Sequence, residues 1–273
     1  MVWPFKPKTH KQIARIEITG AIASDTRKRV LKALEIVKER QYPALLLRID
    51  SPGGTVGDSQ EIYEALKRLQ KNTKIIASFG NISASGGVYI GMGANYIMAN
   101  PGTITGSIGV ILRGNNLERL LDKVGVSFKV IKSGPYKDIL SFDRELTDEE
   151  ERILQDMIDT SYQQFLQTVA GARNLDVNQV KSFADGRIFT GQQALELGVV
   201  DRLGTEEDAR LWALELAGLP PDKTKCQTIE EPKPLLSRLT GNRSQIPPGL
   251  QKTLQRLEFE LEVNGQLLWL YRP

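Results

Sequence analysis

The 273-residue sequence contains very little histidine and cysteine, and this scarcity limits the chemistry available to it. His10 is the only histidine, and Cys226 is the only cysteine. A Ser-His-Asp triad needs a histidine beside the nucleophile, and zinc or iron–sulfur sites need several histidine or cysteine ligands. An intramolecular disulfide is excluded because it requires two cysteines. We therefore expect no metal or other cofactor, and a nucleophilic serine in this chain would need a different base.

The sequence also lacks a long hydrophobic run and a strong excess of charge. No apolar stretch approaches the ~18 residues of a membrane-spanning helix, and no secretory signal is visible. The net charge of +3 gives no signature of nucleic-acid binding. Residues 1–11 form a basic and aromatic tail that is typical of a solvated terminus, although it could touch a membrane surface. We expect a cytoplasmic protein with no nucleic-acid partner, and peripheral membrane contact stays open.

Strand-like and helix-like segments alternate from residue 12 to about residue 220. The strand-like runs at 44–50 and 73–79 are almost continuously apolar, which is typical of parallel strands that are covered on both faces. Amphipathic helical segments separate them, and this alternation predicts an α/β fold with a parallel sheet. Residues 126–132 are predicted to form a further strand.

One long helix has a clear start signal in the second half of the chain. Thr147 and Glu150 have the spacing of a capping box, in which each side chain bonds the backbone of the other. The apolar stripe that follows predicts a helix from there to about residue 172.

The composition changes after Pro220-Pro221, and this change predicts a domain boundary. Residues 221–250 are rich in proline, lysine, glutamine and serine and are predicted to be a linker. Residues 251–273 are predicted to form a β-hairpin extension, because alternating apolar residues flank the turn sequence Asn264-Gly265. A two-stranded hairpin is not stable alone, so we expect it to dock on the core, on another subunit or on a partner.

The stretch 81–90 is the most informative part of the sequence. A strand-like run ends in a small-residue turn that carries two hydroxyls, Ser83 and Ser85, and a helical segment follows from Gly86. A serine on a strand-to-helix turn is well placed to act as a nucleophile, because the turn presents its hydroxyl and the helix start offers free N–H groups. The structural alternative is that small residues let the helix pack closely on a sheet.

Two glycine-containing turns are candidates for supporting such a nucleophile. In Asp50-Ser51-Pro52-Gly53-Gly54, the glycine amides are unshielded by side chains and could bind an oxyanion together with the amide of Gly86. A plain type II turn after Pro52 is the alternative. In Thr105-Gly106-Ser107-Ile108-Gly109, Ser107 could orient a lysine amine, or it could be a structural turn hydroxyl.

Lys137 is the candidate base, since histidine is excluded. A lysine base must be neutral when it acts, and lowering an ordinary lysine pKa of about 10.4 to 7 takes roughly 4.6 kcal/mol. Burial can supply a shift of that size, whereas an exposed lysine stays charged. Asp138 must point away from the amine if Lys137 is the base. The alternative interpretation is an ordinary surface lysine.

These motifs, in this order, resemble the signal peptide peptidase A family of serine–lysine peptidases in the Clp/crotonase superfamily. The matching stretches also include Ser133-Gly134-Pro135-Tyr136-Lys137-Asp138 and Asp185-Gly186-Arg187, and the resemblance covers residues 12–217. It implies a Clp/crotonase-like ββα superhelix, with Ser85 as nucleophile and Lys137 as base. It further implies an oxyanion site at Gly53, Gly54 and Gly86, and a role for Ser107 in orienting the lysine.

The resemblance also implies an assembly and a substrate class. Short members of the family form homo-oligomeric rings in which the serine and lysine of one site come from adjacent subunits. Their substrates are cleaved signal peptides and other apolar segments near the membrane. Members commonly carry an N-terminal membrane anchor, which is not visible in this sequence. A crotonase-type acyl-CoA enzyme and a catalytically inactive scaffold that binds partners through its hairpin are the alternatives.

Overall fold

The computed structural model describes residues 11–229 and 265–271 of the chain. Its strands are β1 (Ile13–Thr19), β2 (Ala44–Ser51), β3 (Gly53–Thr55), β4 (Lys74–Ala84), β5 (Tyr96–Ala99), β6 (Ile104–Gly106), β7 (Ile111–Leu112), β8 (Ile188–Thr190), β9 (Arg202–Leu203), β10 (Cys226–Thr228) and β11 (Leu267–Leu270). Its α-helices are α1 (Ser24–Glu39), α2 (Val56–Leu69), α3 (Gly86–Gly91), α4 (Glu118–Val124), α5 (Asp148–Arg173), α6 (Val177–Lys181), α7 (Gly191–Glu196) and α8 (Glu206–Leu216).

A mostly parallel sheet forms the centre of the fold. Its strand order is β10-β1-β2-β4-β5-β9, and every neighbouring pair in that order is parallel. Strand β6 continues the sheet beside the end of β4 in parallel, and β8 adds to β6 in the antiparallel direction. The predicted α/β fold with a parallel sheet is confirmed.

The central strand β2 shows why its sequence is apolar on both faces. Leu45 and Leu47 pack into the larger hydrophobic core, which also contains residues of α1, α2, α3 and α5. Leu46 points to the opposite face and packs with Trp212 and Ala213 of α8. Because successive side chains of a strand alternate between faces, helices on both sides demand an unbroken apolar run.

Strand β4 is longer than predicted and carries the chain directly to Ser85. The register between β2 and β4 is irregular where Ile49 pairs with Phe79 and Ser51 pairs with Ser83. The Asp50 carboxylate lies in this irregularity and accepts hydrogen bonds from two β4 amides, Asn81 N–H (3.3 Å) and Ile82 N–H (3.1 Å). The acidic side chain therefore satisfies backbone donors that the neighbouring strand leaves unpaired.

Two local predictions have opposite outcomes. Thr147 and Glu150 do form a capping box, and it begins α5 as predicted. Residues 126–132 do not form a strand, so that prediction is wrong for the single chain. Val126, Phe128 and Val130 are exposed there. An extended segment needs a neighbouring strand for its backbone hydrogen bonds, and within the described residues none lies beside it.

The C-terminal part of the chain differs from the predicted linker. Strand β10 pairs with β1 in parallel, so the ordered sheet extends past the expected boundary at residue 220. The rest of that linker, residues 251–264 and the N-terminal tail to residue 10 lie outside the described residues. Strand β11 docks on the core, where it joins β3 and β7 in a second, three-stranded sheet. Within the described residues, no helix is both long and apolar enough to cross a membrane.

Candidate active site

Ser85 occupies a strained turn between β4 and α3. Its backbone has φ 53° and ψ −114°, a region that residues with a side chain rarely adopt. Its N–H donates to Gly106 O (2.8 Å), and its carbonyl accepts from Tyr89 N–H (3.0 Å), so the turn is held from both sides. The side chain is only 1% exposed, and Ser85 Oγ has no hydrogen-bond partner among the described residues. A buried hydroxyl without a partner on a strained turn is the feature expected of a nucleophile.

The glycines after Ser85 allow close packing of the helix on the sheet. A Cβ atom at Gly86 would lie 2.7 Å from Ser59 Oγ, and one at Gly87 would lie 3.1 Å from Ser51 O. The structural interpretation of this turn, close packing of the helix on the sheet, is therefore correct in itself. It does not account for the unpartnered hydroxyl of Ser85.

The glycine turn at 53–54 lies directly beside the turn at 86–87. A Cβ atom at Gly53 would lie 2.7 Å from Gly86 N and 1.9 Å from Trp269 O, so only glycine fits there. Its φ of 101° also favours glycine. Gly54 packs against the backbone of Ile22, whose carbonyl oxygen would be 1.9 Å from a Cβ atom at position 54. The turns at 53–54 and 86–87 therefore both contain close backbone approaches that leave no room for a side chain.

The hydrogen bonds of this region distinguish between the three candidate oxyanion donors. Gly53 N–H already donates to Ser51 Oγ (3.1 Å). Gly86 N–H is at the first position of α3, where the backbone has no acceptor within its own helix. Gly54 N–H faces the strand β11. Gly53 N–H is used within its own turn and Gly54 N–H lies in the ladder with β11, so Gly86 N–H is the candidate donor that the hydrogen bonds of the described residues leave free.

The third motif also reaches the nucleophile turn. Strand β6 pairs with β4 so that Thr105 lies opposite Ser83, and Thr105 Oγ1 donates to Ser83 O (2.7 Å). Ser107 follows directly, with φ 50° and 9% exposure, and its N–H donates to Arg187 O (2.7 Å). Ser107 directly follows β6, just as Ser85 directly follows β4, and the two strands are paired, so both serines lie at the same end of the sheet. Its hydroxyl has no hydrogen bond to a described residue.

Lys137 is the one predicted site residue that the single chain does not connect to the others. Its side chain is exposed, and its Nζ makes no hydrogen bond or ion pair with a described residue. The neighbouring Asp138 carboxylate instead accepts from Lys132 Nζ (2.6 Å) and from an Arg144 Nη (2.8 Å). Asp138 therefore points away from the Lys137 amine, which is the condition that a Lys137 base requires.

Two groups of residues near the site were missed from the sequence. Arg144 bonds both Asp138 and the buried Glu150, which anchors the loop that carries Lys137. Asp138 and Arg144 lie in an irregular segment of the chain, where the spacing of residues does not predict a contact. Trp269, on β11, has its carbonyl oxygen at the glycine turns. The instability of an isolated hairpin predicted that this segment docks, but not where it docks.

Known proteins match this chain along most of its length. The model of peptidase family S49 matches residues 67–220, and the Clp protease model matches residues 9–103. A protein named as a protease in Synechocystis sp. is 72% identical over 277 residues, which is 100% of both chains. A protein named as a signal peptide peptidase SppA in Enterococcus faecium is 36% identical and covers 90% of this chain and 75% of its own.

The structural comparison supports the same fold. A ClpP1 variant from Listeria monocytogenes superposes with a TM-score of 0.51 at 17% identity, over 72% of this chain and 94% of the other. At that identity the likeness concerns the fold alone, and it confirms the Clp/crotonase-like architecture. Together with the sequence matches, these findings show that the chain belongs to peptidase family S49.

Proposed function

We propose that this protease uses Ser85 as its nucleophile and Lys137 of a neighbouring copy as its general base. The observation that carries the proposal is the buried Ser85 Oγ, which has no partner among the described residues of its own chain. An active serine needs a base within hydrogen-bond reach. Histidine is absent beyond His10, and Lys137 of the same chain makes no hydrogen bond to Ser85 Oγ. A second subunit can supply the missing group.

The proposed reaction is acyl transfer through a covalent intermediate. Neutral Lys137 accepts the proton of Ser85 Oγ as the oxygen attacks the scissile carbonyl. The amide of Gly86, together with that of Gly53 or Gly54, stabilises the resulting oxyanion. The protonated lysine then donates its proton to the leaving amine, and water hydrolyses the acyl-enzyme. Ser107, beside the nucleophile turn, is the candidate for orienting the lysine.

An exposed apolar arm, residues 117–142, supports the neighbouring-copy arrangement. The arm contains Lys137 together with many exposed apolar side chains, namely Leu117, Leu120, Val124, Val126, Phe128, Val130, Ile131, Tyr136 and Phe142. Apolar surface of this extent is typical of an interaction site. Packing the arm against another copy, in a homo-oligomeric ring, would remove water from the amine and favour its uncharged form.

We further propose that the substrates are cleaved signal peptides and other apolar peptide segments. The family resemblance and the name of the Enterococcus faecium relative support this class. Purified protein should hydrolyse fluorogenic apolar peptides and synthetic signal peptides faster than polar peptides of equal length. Equal rates on both sets would contradict the substrate class without affecting the proposed dyad.

Mixing two inactive variants tests the shared dyad. Ser85→Ala and Lys137→Ala should each abolish peptide hydrolysis, while Lys71→Ala, at an exposed lysine in the turn that follows α2, should retain it. Co-assembly of the two inactive variants in equal amounts should restore up to about a quarter of wild-type activity, because one interface in four then combines an intact serine with an intact lysine.

Two results would contradict the proposal. Full activity in either single variant would remove that residue from the mechanism. If co-assembled variants stay inactive although they form mixed oligomers, the serine and lysine do not come from adjacent copies. A serine-reactive fluorophosphonate probe should label the wild type but not Ser85→Ala, and absence of labelling in the wild type would favour an inactive scaffold.

A further inference from the structure

The proposed mechanism needs two backbone turns at a fixed separation, and they come from different parts of the chain. Gly53 and Gly54 begin β3, and Gly86 begins α3. A Cβ atom at Gly53 would lie 2.7 Å from Gly86 N, so the two turns touch. Oxyanion donors act over about 2.7–3.1 Å, so a small change in the separation of the turns would move one donor out of range.

The regular ladder between β2 and β4 ends before either turn begins. The regular register extends to the pair of Ile49 with Phe79, and it shifts before Ser51 pairs with Ser83. Strand β3 and helix α3 both start after this irregularity. Contacts beyond the regular ladder therefore determine how far apart the two turns lie.

The side chain of Ser59 contacts both turns. Ser59 is the fourth residue of α2 and is 0% exposed. Its hydroxyl donates to Thr55 O (2.8 Å), and Thr55 directly follows Gly54. The same Oγ would lie 2.7 Å from a Cβ atom at Gly86. One hydroxyl oxygen therefore lies between the end of the first turn and the start of the second.

Thr55 is a firm anchor for that hydrogen bond, because other elements hold it in place. Its N–H donates to Ile22 O (2.9 Å). Its hydroxyl donates to the Asp58 carboxylate, which forms an ion pair with Arg27 of α1 at 3.0 Å. Thr55 is therefore held through both its backbone and its side chain at the point where Ser59 bonds it.

A purely local explanation of Ser59 accounts for one of its contacts only. Serine hydroxyls in helices often bond the carbonyl four residues earlier, and such a bond does not stabilise the helix by itself. The bond to Thr55 O has this pattern. The contact with Gly86 does not follow from it, because Gly86 belongs to α3, which packs against α2.

We propose that Ser59 is a positioning residue for the oxyanion site, and that its hydroxyl sets the distance between the amide of Gly86 and the amides of the turn at 53–54. This inference rests on the proposed function, and it adds a side chain to a site whose oxyanion donors are all backbone groups. Ser59 acts through these amides and does not touch the substrate. Its removal should therefore impair the transition state more than substrate binding.

Ser59→Ala tests this role in the full chain, because alanine fits the same space and removes only the hydroxyl. On a fluorogenic apolar peptide, kcat should fall about tenfold and KM should stay within about twofold, since the separation of the turns matters only as the oxyanion forms. Thr73→Val is the matched control. Thr73 is 3% exposed, and its hydroxyl donates to Tyr42 O (3.1 Å) at the opposite end of the sheet. This control should lose similar stability and keep wild-type kcat.

A peptidyl boronate gives a second measurement that needs no turnover. The boronate forms a tetrahedral adduct with a nucleophilic serine, and one of its oxygens occupies the oxyanion site. The carboxamide of the same peptide forms no adduct. Ser59→Ala should weaken boronate binding about tenfold and leave carboxamide binding unchanged, because only the boronate resembles the transition state. Thr73→Val should change neither affinity.

The contact between Ser59 and Gly86 is measured without any activity. Gly86→Ala places a Cβ atom 2.7 Å from Ser59 Oγ, and Ser59→Ala removes that oxygen, so that the nearest remaining neighbours are at 3.1 and 3.2 Å. The fall in Tm caused by Gly86→Ala should therefore be about half as large, or less, when Ser59→Ala is also present. Equal falls in the two backgrounds would show that the two residues do not meet in solution.

Failure of this inference and failure of the proposed function give different results. Wild-type kcat and boronate affinity in Ser59→Ala, or an equal loss of both in Thr73→Val, would overturn the positioning role even if Ser85 is the nucleophile. If the wild type neither cleaves peptides nor binds the boronate, while Ser59→Ala and Gly86→Ala remain coupled in Tm, Ser59 does join the two turns and the proposed dyad is wrong.

Discussion

The backbone at Ser85 is strained, and the strain has a measurable consequence. Its φ of 53° and ψ of −114° cost a side-chain-bearing residue about 1–3 kcal/mol, whereas glycine adopts them readily. We expect Ser85→Gly to be more stable than Ser85→Ala by about 1 kcal/mol, after allowing for the greater freedom of glycine in the unfolded chain. Urea denaturation of the two inactive variants measures this difference. An alanine variant as stable as the glycine variant would show that the turn is not strained in solution.

Gly86 and Gly57 form a matched pair for testing close packing at the site. A Cβ atom at Gly86 would lie 2.7 Å from Ser59 Oγ, whereas one at Gly57 would have no neighbour within 4 Å. Gly86→Ala should lower the free energy of unfolding by about 1–3 kcal/mol through overpacking and should also reduce activity. Gly57→Ala lies in α2 and should raise stability by about 0.5–1 kcal/mol. Equal effects of the two substitutions on thermal unfolding would contradict this account.

Three of the candidate site residues lie at one edge of the sheet for a shared physical reason. Gly54, Ser85 and Ser107 each follow or form the end of a strand, and parallel neighbouring strands bring their carboxyl ends to one edge of the sheet. Their proximity therefore follows from the strand order. The strand predicted at 126–132, before the loop that carries Lys137, does not form in the single chain, so the same reasoning does not connect Lys137 to Ser85. Its part in the site stays a prediction.

At the scale of elements, a charged cluster fixes the loop that carries Lys137 to the start of α5. Arg144 binds the Asp138 carboxylate at 2.8 Å and the Glu150 carboxylate, which is 2% exposed, at 2.5 Å. The Arg144 guanidinium holds the pKa of both carboxyls well below their usual range, that of Glu150 at about 2. Arg144 thus acts as a positioning residue in the proposed mechanism, because it reaches Lys137 only through the loop.

Replacing Arg144 should change both the turnover rate and the acid stability. A lowered carboxyl pKa stabilises the fold above the ordinary value of 4.5, and this contribution is lost as the pH falls towards 2. In Arg144→Met, the loss of stability between pH 4.5 and 2 should become shallower, and kcat should fall with KM nearly unchanged. Arg144→Lys keeps the charge but not the fork that spans two carboxylates, so it should recover only part of kcat. A wild-type pH dependence in Arg144→Met would contradict the assignment.

Elements whose hydrogen bonds close locally were easier to predict than those that depend on distant partners. The capping box of Thr147 and Glu150 needs only four consecutive residues, and it was found from the sequence. Strand β10 depends on the free edge of β1, and β11 depends on β3 and β7, which are far away in the chain. Residues 126–132 have the alternation of a strand but no neighbouring strand in the described chain.

At the scale of the whole molecule, the arm of residues 117–142 is the part that one chain leaves unfinished. Its apolar side chains are exposed, whereas those of the central sheet are buried between helices. Among the described residues, the hydroxyl of the proposed nucleophile has no hydrogen-bond partner, and the exposed amine of the proposed base, on this arm, makes no hydrogen bond or ion pair. Assembly through the arm would resolve all three features together, so activity and oligomeric state should be linked.

Ile131 provides the sharpest test of that link, because its side chain is 90% exposed in the single chain and contributes little to folding. Ile131→Asp should weaken assembly through the cost of burying an unpaired charge at an interface, and peptide hydrolysis should fall in the same proportion as the oligomer. Analytical ultracentrifugation and activity measured over a range of protein concentrations follow both quantities. Val177→Asp is the matched control, since Val177 is an exposed β-branched residue at the start of α6 and away from the arm. A fully active monomer of Ile131→Asp would show that one chain supplies its own base, and the shared dyad would then be wrong.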